Sequence, residues 1–288
     1  MIDGRKVTAW TPFGRENTVS ILVKYLERDV GRGIVDEYVL YMNTDDNQVS
    51  DREYGYRLAE EHDWIRILER PQRHPGPKQR STGYAYRSFT DPDTIYVRFD
   101  DDVVFVDDAA IENLVRKKIE MEPSKAIFPI IWNNALVSWY LQQCGIVPRE
   151  WGEVSPYCMD PVGWANGPFA VKMHEKLLGH IEAGTVESCF MYQDFPIKLG
   201  EQFSVSCFAS AGKDYAALEQ PGVLVPDEEE NFHTVHWPRV TGQPNILIGN
   251  AVVSHFSFFP QRPFLDASGV LERYRDLANA LPAKEAAA

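Results

Sequence analysis

The sequence predicts an α/β protein with a mixed, mostly parallel sheet flanked by helices, folded as one compact domain. Apolar strand-like runs alternate with amphipathic helical segments through the first hundred residues, which is the pattern of a parallel sheet. The chain has 288 residues, 44% of them hydrophobic, which is enough for a sizeable core. No internal repeat or low-complexity linker interrupts it.

Each element of the first half follows from its own pattern. Apolar runs bounded by turn residues predict strands, and apolar residues at helical spacing, such as Val19, Leu22, Val23 and Leu26, predict the helices between them. The strands are expected at 6–13, 37–43, 64–69 and 95–99, and the helices at 15–30, 52–62 and 81–89.

The second half is less regular. The segment 103–106 is a small strand, and either Asp107 or Asp108 is expected to cap the helix that follows it. Predicted strands and helices then alternate with two long loops: helix 107–121, strand 126–133, helix 135–145, loop 147–168, helices 169–184 and 192–202, strand 203–209, loop 226–245 and the core-closing run 246–261. We divide the chain into a donor-binding half at 1–106, an acceptor-binding and catalytic half at 107–262, and a helical tail at 263–288.

Charge and cysteine content exclude several classes of protein. The net charge of -13 and a pI near 5.0 argue against a general grip on nucleic acid or anionic membrane, although 70–80 is locally basic. The four cysteines form no CxxC pair, so we expect free thiols. Without a signal peptide or a long apolar run, the sequence predicts a cytoplasmic protein with no stable membrane insertion.

The stretch "YVRFDDDVVFV" is the most informative one in the chain. Asp100, Asp101 and Asp102 directly follow the fourth predicted strand. One pair of carboxylates about 4 Å apart costs about 1 kcal/mol in bulk water and about 4 kcal/mol near a protein surface. Ligands of open α/β sheets bind at the carboxyl ends of the strands, and carboxylates suit Mg²⁺ or Mn²⁺. The stretch therefore predicts a divalent-cation site.

A βαβαβ half of about a hundred residues that ends in an Asp-rich turn resembles the GT-A (Rossmann-like) glycosyltransferases, in particular the inverting, family 2-like enzymes. The resemblance implies a metal-dependent transfer of a sugar from a nucleoside-diphosphate sugar, with a UDP-sugar favoured, to an acceptor hydroxyl. Asp100 and Asp102 would match the DxD motif and hold Mn²⁺ or Mg²⁺.

The same resemblance implies two residues in the second half. Asp194 in "MYQDFPIKLG" would be the base that deprotonates the acceptor, placed at the start of a helix, although Gln193 replaces the usual Glu. His255 in "VVSHFSFFPQ" would be the third metal ligand. A hydrogen-bonded core residue is the alternative for His255. His233 and His236 are competing candidates for the ligand role, and contact with the acceptor is the alternative for both.

The donor site implied by the resemblance lies at the ends of the first strands. Its candidate residues would contact the base, the ribose or the diphosphate: Thr11, Phe13, Arg15, Asn43, Asp45, Arg80, Asp100 and Asp101. Phe13 would stack on the base, and Arg80 would bind near the base or the phosphates.

The acceptor site is expected in the loop 147–168, where Trp151 and Trp164 could stack on a sugar and Gly167 lets the backbone approach the donor. The acceptor would be a glycan, a protein, a small molecule or a modified nucleobase. Two alternatives stay open: a catalytically inactive GT-A-like module that binds carbohydrate or protein, and a sugar nucleotidyltransferase.

Overall fold

The structure, a computed structural model, describes residues 1–71, 78–121, 125–216 and 229–282, and only the backbone of 78–80. Within these ranges nine strands form one sheet. The strands are β1 (Lys6–Phe13), β2 (Glu37–Met42), β3 (Ile65–Glu69), β4 (Thr94–Phe99), β5 (Val103–Val106), β6 (Ile127–Trp132), β7 (Phe195–Pro196), β8 (Cys207–Ala211) and β9 (Ile246–His255).

Helices cover the sheet and its ends. In the described ranges they are α1 (Glu16–Gly31), α2 (Val49–Glu61), α3 (Ala110–Glu120), α4 (Ala135–Gln143), α5 (Gly167–Glu182), α6 (Gly212–Ala216), α7 (Glu229–Asn231), α8 (Trp237–Thr241), α9 (Arg262–Asp266) and α10 (Val270–Asn279). Tighter 3₁₀ turns occupy Lys78–Ser88, Arg149–Trp151, Val186–Cys189 and Phe259–Gln261, and a π turn occupies Phe232–His236.

The strand order is β3-β2-β1-β4-β8-β6-β9-β5, with β7 beside β9. The first four strands are parallel, β6 is parallel to β9, and β8, β5 and β7 are antiparallel to their partners. The predicted α/β fold with its mixed sheet is confirmed. The chain leaves the middle of the sheet at β4, turns through the three aspartates, and pairs β5 with β9 at the edge.

The two predicted halves share this sheet and one hydrophobic core. On one side the helix α1 buries Val19, Leu22 and Leu26 completely. Tyr25 of the same helix packs edge-on against Phe105 of β5, with ring centroids 5.5 Å apart. The turn that carries the aspartates is therefore held between packed elements and not at a free surface.

Three expectations for the second half are wrong. The predicted helix at 192–202 is a short strand followed by turns, because the backbone at Met191 and Ile197 pairs with β9 and its flanking residue Asn245, and Gly200 takes a positive φ of 76°. The strand predicted from residue 203 begins at Cys207. The predicted polar loop 226–245 contains the helical segments between Glu229 and Thr241, whose inward face buries Phe232 and Pro238.

All four cysteines are free thiols. Across the described ranges, none of the helices combines the length and the apolar character that a bilayer crossing requires.

Replacement of Gly212 by alanine should destabilise the fold. A Cβ atom at Gly212 would lie 1.9 Å from the carbonyl oxygen of Asp91, which is backbone and cannot rotate away. Overpacking of this kind costs about 1–3 kcal/mol of the free energy of unfolding. Urea unfolding would measure the loss. Gly179→Ala is the matched control, because Gly179 is an exposed position in α5 with open space around it, and it should gain roughly 0.5–1 kcal/mol. Equal stability of the two variants would contradict the packing described.

The buried His233 should make the fold sensitive to mild acid. Burial lowers the pKa of His233 to about 4, against the opposing effect of Glu229, whereas an unfolded histidine titrates near 6.5. Between these values only the unfolded chain binds the proton, so the free energy of unfolding falls as the pH falls, by up to about 3 kcal/mol at roughly 1.4 kcal/mol per pH unit. Urea unfolding at pH 6.5 and pH 5 should show a shallower pH slope for His233→Gln, and an unchanged slope for the exposed His236→Gln.

Candidate metal centre and its pocket

The three aspartates form a tight turn between β4 and β5. The Asp100 amide donates to the Ser206 carbonyl at 2.8 Å, and the Val103 amide donates back to the Asp100 carbonyl at 3.3 Å. The hydroxyl of Thr18, on α1, donates to the Asp101 carbonyl. Because the backbone is tied on both sides, the three side chains point in fixed and different directions.

Asp100, Asp102 and His255 come together into one group. One ligand atom from each residue lies within 4.8 Å of the other two. His255 reaches the turn because it ends β9, next to β5, and because the amide of Phe256 donates to the Asp102 carbonyl at 2.8 Å. Two ligand atoms on one octahedral ion are about 3–4 Å apart, since each lies about 2.1 Å from it. Small side-chain rotations would therefore bring this group onto a divalent cation.

The ring of His255 is oriented for such a role. Its Nδ1 lies 3.2 Å from the carbonyl oxygen of Asn133, which can only accept, so Nδ1 carries the proton. The unprotonated Nε2 then faces Asp102 Oδ1 at 3.5 Å. Asn133 holds its carbonyl in place through a left-handed backbone, with φ at 62°. A backbone acceptor behind the ring is the usual way in which proteins fix a metal-binding histidine.

Two arginines balance the negative charge of the turn. Arg15, between β1 and α1, contacts Asp101 with two nitrogens and Asp102 at 3.1 Å. Arg98, on β4, lies 2.8 Å from Asp100 and also forms a two-pronged ion pair with Glu229. Arg98 is only 4% exposed, so its charge acts at nearly full strength.

The pKa values of the three carboxyl groups are shifted in different directions. Burial raises the pKa of Asp100 despite the attraction of Arg98, and burial raises the pKa of Asp101 to about 6 despite Arg15. Burial also acts on Asp102, but the ion pair with Arg15 and the charge of Arg262 outweigh it and lower its pKa. Asp102 is therefore the carboxylate held most firmly in the ionised form.

A pocket of about 520 Å³ opens beside the turn. This volume lies in the range of sites for small molecules and cofactors. Polar and charged side chains dominate its lining, which comprises Pro12, Gly14, Arg15, Asn43, Gln48, Thr82, Arg98, Asp100, Asp101, Glu229 and Arg262. The pocket lies at the carboxyl ends of β1, β2 and β4, where the fold class predicts a ligand.

The structure divides the predicted donor residues into two groups. Arg15, Asn43, Asp100 and Asp101 line the pocket. Thr11 and Phe13 do not, because both are fully buried: Thr11 accepts from the Tyr38 hydroxyl, and Phe13 packs against α2 under Tyr54 and Gly55.

Two further donor candidates lie elsewhere. Asp45 is exposed in the turn after β2 and is not part of the pocket lining. The side chain of Arg80, like the loop 72–77 before it, lies outside the described residues.

Of the three predicted acceptor residues, two are connected to the centre through residues that the structure describes, and Trp151 is not. Trp151 is half-buried against the core. The Trp164 ring lies 6.4 Å from Phe258, whose own ring is 4.6 Å from His255. Gly167 begins α5 beneath the ring of Phe264, where a Cβ atom would come within 2.1 Å of that ring. Trp164 and Gly167 are thus linked to the centre through the turn that follows β9.

Asp194 lies outside both the group of possible metal ligands and the pocket lining. It precedes β7, not a helix, so the predicted helix start is wrong. It accepts from the Gly249 amide at 3.0 Å and pairs with Lys117 at 3.0 Å. Gly249 is six residues before His255 on β9, where the strand bulges against β6. The role of Asp194 as an inverting base stays a prediction.

The two competing histidines, His233 and His236, lie outside the group of possible metal ligands. His233 is 5% exposed and hydrogen-bonded at both ring nitrogens, to the Tyr215 hydroxyl and the Glu229 carbonyl. It is a core residue. His236 is exposed on the same helical segment.

Sequence reasoning missed several pocket residues: Gln48, Thr82, Arg98, Glu229 and Arg262. Arg98 carried a signal, because an arginine inside the apolar run "IYVRF" requires a buried acidic partner. Glu229 carried none, since it is one of four consecutive acidic residues in a polar stretch. Arg262 follows the apolar run that ends the sheet and is placed only by the turn after β9.

Comparison with known proteins agrees with the fold. No protein-family model matches the chain, and no curated protein matches it. GalNAc-T7 with UDP, GalNAc and Mn²⁺ is similar in structure, at 12% identity over 94% of this chain and 50% of that one, with a TM-score of 0.50. It supports a GT-A-like fold and nothing finer.

Two other solved structures are more distant. A mycobacterial protein shares 14% identity over 95% of this chain and 74% of its own, with a TM-score of 0.42. The 4-diphosphocytidyl-2C-methyl-D-erythritol synthase from Anaerococcus prevotii shares 20% identity over 44% of this chain and 56% of its own, with a TM-score of 0.30. The chain therefore matches only about half the length of this synthase and of GalNAc-T7.

Removal of one ligand should abolish tight metal binding. Titration with Mn²⁺, followed by electron paramagnetic resonance, should give saturable binding to the wild-type protein. Asp102→Asn replaces an anionic ligand with a weaker neutral one, and His255→Gln removes the imidazole nitrogen, so each should weaken binding by about 100-fold or more. Asp194→Asn is the control, because this carboxylate pairs with Lys117 and is not among the possible metal ligands, and the Mn²⁺ affinity of this variant should match that of the wild type. Loss of binding in Asp194→Asn, or its retention in Asp102→Asn, would contradict the assignment.

Proposed function

We propose that the protein is a metal-dependent glycosyltransferase that moves a sugar from a nucleoside-diphosphate sugar to an acceptor hydroxyl. One observation carries the proposal: the Asp100–Asp102–His255 group lies at the edge of a pocket that also holds three arginines. A divalent cation together with arginines is what a diphosphate leaving group needs. When bound, the metal would neutralise charge on the departing diphosphate.

The mixed ligand set favours Mn²⁺ over Mg²⁺. Mg²⁺ prefers oxygen ligands in a near-ideal octahedron, and the imidazole of His255 is a nitrogen ligand. The hydrogen bond from Nδ1 to the Asn133 carbonyl presents Nε2 toward the ion.

The three arginines differ in how they would serve a diphosphate. Arg15 and Arg98 are occupied by acidic partners and chiefly set the charge of the turn. Arg262 is half-buried, and within the described ranges it has no hydrogen-bonded or ion-paired partner. We assign Arg262 as the side chain that binds the phosphates directly, because its planar fork matches phosphate oxygens.

The polar residues on the other side of the pocket suit a base and a ribose. Asn43 accepts a hydrogen bond from the Ser81 hydroxyl at 2.6 Å through Oδ1, which leaves its amide hydrogens to donate. Gln48 and Thr82 add further hydrogen-bonding groups. A uridine nucleotide is the first candidate, because uracil offers carbonyl oxygens to such donors and GalNAc-T7 was solved with UDP.

A non-catalytic carbohydrate-binding module is the second candidate, and one observation favours it. Every described carboxylate that lines the pocket is already ion-paired: Asp100 and Glu229 with Arg98, and Asp101 with Arg15. No described pocket carboxylate is therefore left unpaired to act as a base. Release of sugar from a nucleotide sugar, with or without an acceptor, separates the transferase from this alternative.

Nucleoside diphosphates should stabilise the protein only when metal is present. A thermal-shift panel of UDP, GDP, CDP and ADP, each with Mn²⁺ or with EDTA, measures this. A ligand at a hundredfold excess over its Kd adds about 2.7 kcal/mol to the free energy of unfolding. Arg262→Ala should weaken the best nucleotide by about tenfold to a hundredfold, the value of a hydrogen bond to a charged group.

Arg149→Ala is the control for this panel, since Arg149 pairs with Glu153 on the surface and its loss should leave the shift unchanged. A shift that survives EDTA, or the absence of a shift with all four nucleotides and Mn²⁺, would rule out the metal-dependent donor site.

A further inference from the structure

Aromatic rings crowd the turn that follows the metal-binding strand. Phe259 is 78% exposed and Phe264 is 50% exposed, while Trp164 lies half-buried beside Phe258. We call Trp164, Phe259 and Phe264 the aromatic ledge. Large apolar side chains exposed to this degree usually mark a binding surface when they cluster beside a pocket.

The ledge is rigidly built. The fully buried Gln261 accepts from the Phe258 amide at 3.1 Å and from Asn133 Nδ2 at 2.9 Å, and donates to the Gly163 carbonyl at 3.3 Å. This network fixes the turn that carries Phe259 to the loop that carries Trp164. An exposed ring on a fixed backbone loses little conformational freedom when a ligand covers it.

The ledge is continuous with the candidate active site. The Phe258 ring packs against the His255 ring at a tilt of 54°, with ring centroids 4.6 Å apart. Arg262 lines the pocket, and its guanidinium carbon lies 6.0 Å from the Phe259 ring. A molecule on Phe259 would therefore be one side chain away from the metal centre.

We propose that the aromatic ledge binds a pyranose ring of the acceptor, with one C–H face of the sugar on Phe259. The inference rests on the proposed function. Aromatic faces carry partial negative charge and attract C–H groups, which a pyranose presents on its apolar face. Its hydroxyl edge would then face the polar lining of the pocket, where acceptor and donor groups are plentiful.

The size and charge of the surface support this occupant over the alternatives. An aromatic side chain buries about 150–250 Å², so the two exposed rings offer on the order of 250 Å². A stable protein interface needs about 800 Å² on each partner. A second copy of the chain is therefore disfavoured. The net charge of -13 disfavours a polyanionic acceptor.

Saturation-transfer NMR tests the ledge directly. The probes are the methyl glycopyranosides of glucose, galactose, mannose and N-acetylglucosamine, with Mg²⁺ in place of paramagnetic Mn²⁺. At least one probe should receive saturation, mainly on the protons of one ring face. Phe259→Ala should weaken its binding about tenfold, and Phe259→Trp should restore it. Tyr192→Ala is the matched control, because Tyr192 is 73% exposed on the side of the sheet near Asp194.

The ledge is overturned if no probe binds the wild type, if Phe259→Ala binds as the wild type does, or if Phe259→Ala instead converts a dimer to a monomer in gel filtration. The nucleoside-diphosphate panel is run on the same variants. Because the Arg262 guanidinium lies over the Phe259 ring, Phe259→Ala should weaken nucleotide binding far less than Arg262→Ala does. Glycoside binding without nucleotide binding would keep the ledge and reject the glycosyltransferase. Nucleotide binding without glycoside binding would keep the donor site and reject the ledge.

Discussion

The concentration of negative charge at the end of β4 is the constraint on which the rest of the site depends. Three adjacent carboxylates in a half-buried turn are tolerated because two arginines approach them from opposite sides. Arg15 arrives from the junction of β1 and α1, and Arg98 from within β4 itself. The attraction of Arg15 lowers the pKa of Asp102 against the effect of its burial. Asp102 is thus kept ionised before any cation arrives, whereas burial raises the pKa of Asp100 and of Asp101.

This charge balance ties distant parts of the chain together. Arg98 also binds Glu229 through both guanidinium nitrogens, and Glu229 accepts from the Tyr86 hydroxyl. His255 comes from β9, which the sheet places beside β5 and hence beside the turn. The group therefore requires the first half of the chain, the end of β9 and the helical segment after residue 228 to be in place together.

The sequence allowed the first half of the fold to be predicted well, because its strands and helices alternate with clear periodicity and the aspartates fall at a strand end. The resemblance to GT-A enzymes implied that His255 joins Asp100 and Asp102, and the three residues do lie together. The errors have physical causes. Phe13 is apolar enough for the core and was buried there. The segment after Asp194 reads as a helix locally, but pairing with β9 prevails.

Arg262 and Glu229 could not have been found from their local sequence. Both reach the pocket through long-range packing: Arg262 by the turn after β9, and Glu229 by a contact with Arg98 across 131 positions. Arg98 could have been predicted, because a lone arginine in a strand of apolar residues needs an acidic partner nearby. Charged residues inside apolar runs are therefore better guides to such a site than charged residues in polar loops.

Asn133 joins two parts of the site that a mechanism would treat separately. Its carbonyl fixes the ring of His255, and its side-chain amide donates to the Phe256 carbonyl and to Gln261, both at 2.9 Å. One residue thus aligns the candidate metal ligand and anchors the backbone under the aromatic ledge. The His255 ring and the ledge backbone cannot move independently of each other. The backbone around Asn133 therefore fixes the distance between a bound cation and a ligand on Phe259. Under the proposed function, a change of acceptor specificity would therefore require different side chains on the ledge. It could not come from moving the ledge relative to the cation site.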